Sequence, residues 1–394
     1  MRACPWLCTW LWAWLSTWEG VTCTNSPFRV YWNVPSQHCA KFDVFINVSQ
    51  YGLLQNAGDA FHGEKVTILY GPGAFPYLDT RGTPVNGGIP QNGSLATHVQ
   101  LFINTLNNMV PQDFVGAAVL DFEDYYPSYD LSPASYRKTS RAWVKAQHPS
   151  WSPEEVEGYA ADSFNASVRN YFQSLLWVGR ELRPGGLWGY YHYPYCHNYA
   201  PGDGKCRDKT QAMNEEISWL FESSAAFYPS LYVHRDSGFD SRSRRQHIRT
   251  VLVEALRARR RVHSTAPVLP YVWSRYHDSP ALLSPVDMVT TLGAARVLGA
   301  GGAVVWGASE DVATGEQCRN LKSFAESKLG PLVRYLAHLP RTKLNRLLAS
   351  RRRVRRAVRG ALRDATRTQA IRGAPVSVSN DRCANSVLEK CGVI

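Results

Sequence analysis

Asp121 and Glu123 stand one residue apart at the end of the apolar run Phe114 to Leu120, just before Tyr125-Tyr126-Pro127. Side chains two apart on an extended strand share a face, so both carboxyls emerge together where the strand ends. A pair of carboxyls in one cleft can protonate a leaving oxygen and activate a water, which is the chemistry of glycoside hydrolysis. Asp-x-Glu by itself arises by chance, and its position is what gives it weight. A continuous apolar run reads as a strand buried on both faces, and in α/β barrels the strand C-termini form the active end.

The elements that must hold this pair are legible as alternating runs. Strands are expected over Phe28 to Trp32, Phe42 to Ile46, Lys65 to Tyr70, Val115 to Leu120, Leu187 to Tyr191, Leu231 to Val233, Leu269 to Trp273 and Ala303 to Trp306. Helical periodicity marks Leu95 to Met109, Pro153 to Leu182, Arg245 to Arg260, Val286 to Val297 and Asn320 to Ala337. Roughly eight such βα units predict an α/β fold of the TIM-barrel type rather than a doubly wound sheet. The strand ends then offer Tyr70, Tyr191, Tyr232, Trp273 and Trp306 around the two acids. Any one aromatic could merely cap a barrel core, but the set suits a sugar, whose ring faces need apolar platforms and few directed hydrogen bonds. The chain has no Walker-type loop, no His-Glu-x-x-His and no Gly-x-Ser-x-Gly.

Size and composition fit this reading. The chain has 394 residues, 44% hydrophobic and 12% aromatic, enough for one large barrel with appendages. Residues 1–23 carry Arg2 followed by Leu7, Trp10, Leu11, Trp12, Trp14 and Leu15, an apolar core too short to span a bilayer and suited to a secretory signal. A secreted, extracellular product is expected. Nine cysteines are present, and loss of Cys4, Cys8 and Cys23 with the signal leaves Cys39, Cys196, Cys206, Cys318, Cys383 and Cys391, an even set for disulfides. Metal binding is disfavoured, because Cys-x-x-Cys is absent and Cys196 and Cys206 lie ten apart with only His192 and His197 nearby. Asn47, Asn92 and Asn165 each open a glycosylation sequon.

The net charge of +12 is confined to one end. Between Arg334 and Arg372 stand thirteen Lys or Arg and one acid, Asp364, leaving 31 basic and 31 acidic residues elsewhere. In this stretch Leu344, Leu347, Leu348, Val354, Val358, Ala361 and Leu362 recur at helical spacing, with Arg351-Arg352-Arg353 and Arg355-Arg356 on the other faces. A basic amphipathic helix can contact an acidic polysaccharide or an anionic membrane surface, or stand solvated with no ligand. Nucleic acid is disfavoured for an exported chain whose Arg run has no interleaved aromatics beyond Tyr335. The organisation expected is a signal over 1–23, a barrel over 24–338 and an Arg-rich extension over 339–394.

The ordered blocks Val30-Tyr31-Trp32-Asn33-Val34-Pro35, Tyr51-Gly52-Leu53-Leu54-Gln55-Asn56, Leu120-Asp121-Phe122-Glu123, Trp188-Gly189-Tyr190-Tyr191, Tyr193-Pro194-Tyr195-Cys196, Trp219-Leu220-Phe221-Glu222-Ser223 and Trp306-Gly307 resemble the hyaluronidases of glycoside hydrolase family 56, especially arthropod venom and salivary forms. The resemblance covers about residues 28 to 338. It implies a distorted TIM barrel with fewer than eight regular strands and disulfides pairing Cys39 with Cys318 and Cys196 with Cys206. Cys383 and Cys391 fall outside the matched region.

The same resemblance implies an endo-acting retaining hydrolase of hyaluronan, with chondroitin as a slower substrate, in which the substrate's own acetamido oxygen attacks the anomeric carbon. Glu123 would be the general acid and then the base, and Asp121 would hydrogen-bond Glu123 or the acetamido group. Two carboxyls so close would raise one pKa. Tyr191 and Tyr232 would orient the acetamido group and Trp306 would pack on its methyl, with Tyr70, Trp273 and Ser309 as further groove residues. No metal or cofactor is implied, and a monomer is expected. The chain departs from the family in two places, with Tyr125-Tyr126-Pro127 where Trp-Arg-Pro is usual and Ala308 where serine is usual, so a catalytically weak glycosaminoglycan-binding protein acting through the groove and basic tail is the alternative.

Overall fold

The computed structural model of the protein describes residues 27–196, 206–238 and 240–373. Seven parallel strands are present among them: β1 (Arg29–Asn33), β2 (Val66–Tyr70), β3 (Ala117–Asp121), β4 (Leu187–His192), β5 (Tyr228–Pro229), β6 (Tyr271–Trp273) and β7 (Gly302–Trp306). One ladder runs β2-β3-β4-β5 and another β1-β7-β6. Parallel bridges at Phe227 with Val268 and Ser230 with Tyr271 join β5 to β6. The ring stays open between β1 and β2, so the barrel is distorted. The segment around Leu54 and Asn56 lies in that seam. Leu54 exchanges backbone hydrogen bonds with β1, while the buried Asn56 side chain accepts from the Lys65 and Val66 amides and donates to the Val66 carbonyl.

Alternation along the strands sorts side chains into two cores. Tyr31, Ile68, Ala117, Val119, Tyr228, Tyr271 and Val304 point inward and fill the barrel. Val30, Trp32, Ala118, Leu120 and Phe122 point outward and meet the surrounding helices. This two-residue period puts Asp121 at the inward position directly after Val119.

The helices are α1 (Leu95–Met109), α2 (Ala134–Gln147), α3 (Pro153–Leu182), α4 (Asp208–Glu216), α5 (Ser218–Ser223), α6 (Ser241–Arg261), α7 (Pro285–Leu298), α8 (Gly315–Phe324), α9 (Gly330–His338), α10 (Arg341–Leu348) and α11 (Arg351–Gly373). Helix α3 starts where its sequence says it should. Ser152 Oγ accepts from the Glu155 amide, the Glu155 carboxylate accepts from the Ser152 amide, and Pro153 occupies the first turn. Its core stripe, Val156, Ala160, Phe164, Val168, Phe172 and Leu175, follows the helical repeat onto the sheet.

Three expectations are corrected. Phe42 to Ile46 is not a strand. Residues Ser36–Phe42 form a 3-10 helix ended by Asp43 at φ 57°, and Cys39 of this helix is disulfide-bonded to Cys318. Val44 and Ile46 are nevertheless buried around an exposed Phe45, so the alternation reports packing without a ladder. The strand expected over Leu231 to Val233 lies earlier, at Tyr228–Pro229, with Leu231 to Val233 as a buried loop beyond it. The stretch Asn320 to Ala337 is not one uniform helix, since a π-helical turn at Ala325–Leu329 separates α8 from α9.

The basic stretch after residue 338 continues as α10 and α11. Leu344, Val354 and Val358 are buried, and Leu344 and Leu348 pack over Gly293 of α7. Arg296 donates to the Leu339 carbonyl at 2.6 Å and Arg341 to the Arg296 carbonyl at 3.0 Å. Arg351, Arg352, Arg353, Arg355, Arg356, Arg359, Arg363 and Arg367 remain exposed.

Candidate active site

Parallel register brings the strand ends to one rim. Tyr70 pairs with Asp121, Tyr191 with Tyr228, and Trp306 with both Asn33 and Trp273. Over this rim lies a cleft of about 520 Å³ lined by Tyr70, Asp121, Glu123, Tyr191, Tyr232, Trp273 and Trp306, all expected from the sequence. Phe122, between the two acids, sends its ring the other way to stack on Phe75 at 3.9 Å. That anchor fixes the facing of its two neighbours.

The acids differ in surroundings. Asp121 is 9% exposed, whereas the Glu123 side chain is 58% exposed at the mouth. Burial first, and the Glu123 charge second, push the Asp121 pKa up to about 7. The raised carboxyl of the pair is therefore Asp121, and below about pH 7 it keeps its proton. Burial likewise raises the tyrosines: Tyr70 to about 12, with Tyr191 and Tyr232 higher still. All three are neutral O–H groups at any working pH.

The walls are braced by hydrogen bonds and ring contacts. Trp306 Nε1 donates to Tyr70 Oη at 2.9 Å, and Tyr191 Oη donates to Ser230 Oγ at 3.2 Å. Tyr232 stacks on Trp306 at 5.9 Å between ring centres, and Trp273 meets Trp306 edge-on at 4.9 Å. Asp311 holds this side in place. It accepts from Trp273 Nε1 at 2.7 Å and from the Ala308 amide at 2.8 Å, and it pairs with Arg275, whose guanidinium lies 3.9 Å from the centre of the Trp273 ring.

Ser309 is exposed at the start of a 3-10 turn and does not line the cleft. Neither Tyr126 nor Ala308 lines it. Tyr126 sits behind, its hydroxyl 3.3 Å from that of Tyr195. Sequence reasoning missed Asp311 and the cleft residues Asp124, His192, Ser230, Tyr271 and His277. His192 directly follows Tyr191, already singled out at a strand end, and that adjacency is the signal that could have found it.

The disulfides Cys39–Cys318 and Cys196–Cys206 are formed, the second just beyond β4. Asn47, Asn92 and Asn165 are exposed. Cys383 and Cys391, and the leader expected over 1–23, lie outside the described residues. No helix among the described residues is long and apolar enough to cross a membrane.

A carboxyl pair at the mouth of a packed parallel barrel, walled by tyrosine and tryptophan, defines a glycoside hydrolase of the distorted TIM-barrel class. The family model for glycoside hydrolase family 56, described as hyaluronidase, matches residues 18–339. The hyaluronidase of Apis mellifera is 39% identical over 324 residues, 79% of this chain and 84% of that protein. Hyaluronidase-1 of Homo sapiens is 35% identical over 326 residues, 80% of this chain and 75% of that protein. The crystal structure of bee venom hyaluronidase in complex with a hyaluronic acid tetramer matches with a TM-score of 0.74 at 37% identity, covering 79% of this chain and 99% of that one. The chain belongs to the hyaluronidase family, glycoside hydrolase family 56, and is an enzyme of that family.

Proposed function

We propose that the protein cleaves the β-1,4 bond between N-acetylglucosamine and glucuronate inside hyaluronan chains, with chondroitin as a slower substrate. The observation that carries this reading is the meeting of Asp121 and Glu123 with Tyr70, Tyr191, Tyr232, Trp273 and Trp306 in one cleft. The exposed Glu123 carboxyl protonates the leaving oxygen and then takes a proton from the incoming water. The acetamido oxygen of the substrate acts as nucleophile, leaving a retained anomeric configuration. Asp121, which holds a proton below about pH 7, donates to Glu123 and passes that proton on as Glu123 protonates the leaving oxygen; the proton taken from the incoming water returns by the same route. Tyr191 and Tyr232 orient that group and Trp306 packs on its methyl. The residues require no cofactor for these steps. Release of reducing-end N-acetylhexosamine from hyaluronan by the wild type, and its loss in Glu123→Gln, tests the assignment.

A second role is supported by the exposed arginines of α11. They form a contact for polyanionic glycan beside a body of balanced charge, which concentrates substrate or, if turnover is weak, makes the protein a glycosaminoglycan binder. The apolar leader and the three exposed sequons support secretion as a glycoprotein.

A further inference from the structure

His192 is the last residue of β4 and directly follows Tyr191. Its Nδ1 lies 3.5 Å from Glu123 Oε2, and its side chain is 18% exposed at the cleft wall. Three observations show that the imidazole is placed rather than incidental. Its backbone sits at φ 80°, in the left-handed region that a side-chain-bearing residue rarely adopts. Its ring stacks on Tyr195 at 4.9 Å with the planes 21° apart. Tyr195 is itself held from behind, by the Tyr126 hydroxyl at 3.3 Å and by an edge-on ring contact at 5.4 Å.

From this geometry we infer that His192 is a positioning residue for the Glu123 carboxyl. Glu123 is the more exposed acid, on a flexible stem at the mouth, and its two proton transfers require one orientation toward the glycosidic oxygen and the water. A small turn of the ring that closes this 3.5 Å separation lets Nδ1–H direct one carboxyl oxygen, Oε2, and leaves Oε1 for the proton transfer. Tyr195 and Tyr126 keep the imidazole from swinging out. The departure from the family at Tyr126 is thereby given a task. Lying behind Tyr195, it braces the acid/base group from outside the cleft. The inference rests on Glu123 being the acid/base group.

The left-handed backbone makes the test clean, because glycine adopts φ 80° without strain and asparagine tolerates it better than most residues. His192→Gly should keep or raise the melting temperature while lowering kcat on hyaluronan roughly tenfold, with KM changed by less than about twofold. Added imidazole should restore part of the lost kcat in His192→Gly and leave the wild type unchanged. His192→Asn, whose amide can still donate to the carboxylate, should retain most of the turnover. Wild-type kcat in a folded His192→Gly, or a change confined to KM, overturns the inference while an inactive Glu123→Gln leaves the acid/base reading standing. Full turnover by Glu123→Gln removes that reading and the inference with it.

Discussion

Trp306 and Tyr70 are joined by an indole-to-hydroxyl hydrogen bond of 2.9 Å that spans the open seam of the barrel. Trp306 ends β7 and Tyr70 ends β2, with β1 between them and no ladder from β1 to β2. The bond therefore sets the indole plane where backbone pairing does not continue. Tyr70→Phe keeps the ring and removes the acceptor. About 1 kcal/mol of orientation is lost, and kcat/KM should fall about fivefold with little change in melting temperature. An unchanged kcat/KM would show that ring stacking alone holds Trp306.

Asp121 makes stability depend on pH with a definite sign. Its pKa rises from 3.8 to about 7 on folding, by burial and then by the Glu123 charge. Below about pH 4 folded and unfolded chains are both protonated there, and the shift contributes nothing. Between about pH 4 and 7 the folded state holds the proton that the unfolded state releases, so stability falls as pH rises through this window. Asp121→Asn cannot ionise and should melt at progressively higher temperature relative to wild type from pH 4 to pH 8. A melting difference that is flat over that range contradicts the assignment of the raised pKa.

How much of this site could be read from the chain follows from the range of the interactions. Asp121, Phe122 and Glu123 obey strand alternation, a local rule, and their facing was legible. Helices α1 and α3 carry their own caps, at Ser94 and Ser152, and their bounds match the sequence reading. Phe42 to Ile46 misled because burial without a partner strand gives the same alternating pattern as a ladder. Asp311 acts on Trp273 from 38 residues away, and Tyr195 folds back on His192 through an irregular turn, contacts that no sequence period encodes. Ser309 was a neighbour in sequence but not in space.

The Cys39–Cys318 disulfide closes a span of 279 residues and ties the 3-10 helix after β1 to α8. Loops of this length give the largest entropic effect, and replacing both cysteines by serine should cost about 4–5 kcal/mol. Chemical denaturation under non-reducing conditions should show the midpoint falling while activity at low temperature persists. A loss below about 1 kcal/mol would mean that the unfolded chain is already compact there.

Truncating the chain after Leu339 would remove Leu344, Val354 and Val358 from the core along with the charges, so substitution is the cleaner probe of the basic helix. Arg352, Arg355, Arg356 and Arg359 changed together to Gln should leave the melting temperature unaltered, because all four are exposed. Hyaluronan binding should weaken most below about 0.1 M salt, where the screening length is ~10 Å, and its salt dependence should become shallower. Identical salt curves for variant and wild type would make the helix a structural cover for α7 and no more.

Glu123 as acid/base is tested most directly by following hyaluronan chain length with the purified protein from pH 3.5 to 8, alongside Glu123→Gln. The amide is nearly the shape of the acid but cannot deliver the proton. Depolymerisation is expected of the wild type, with a loss of at least about a hundredfold in the variant at unchanged melting temperature. Equal depolymerisation by both would remove Glu123 from the chemistry. A folded wild type that binds hyaluronan and cuts it at no pH would make the protein a glycan binder on a hydrolase fold.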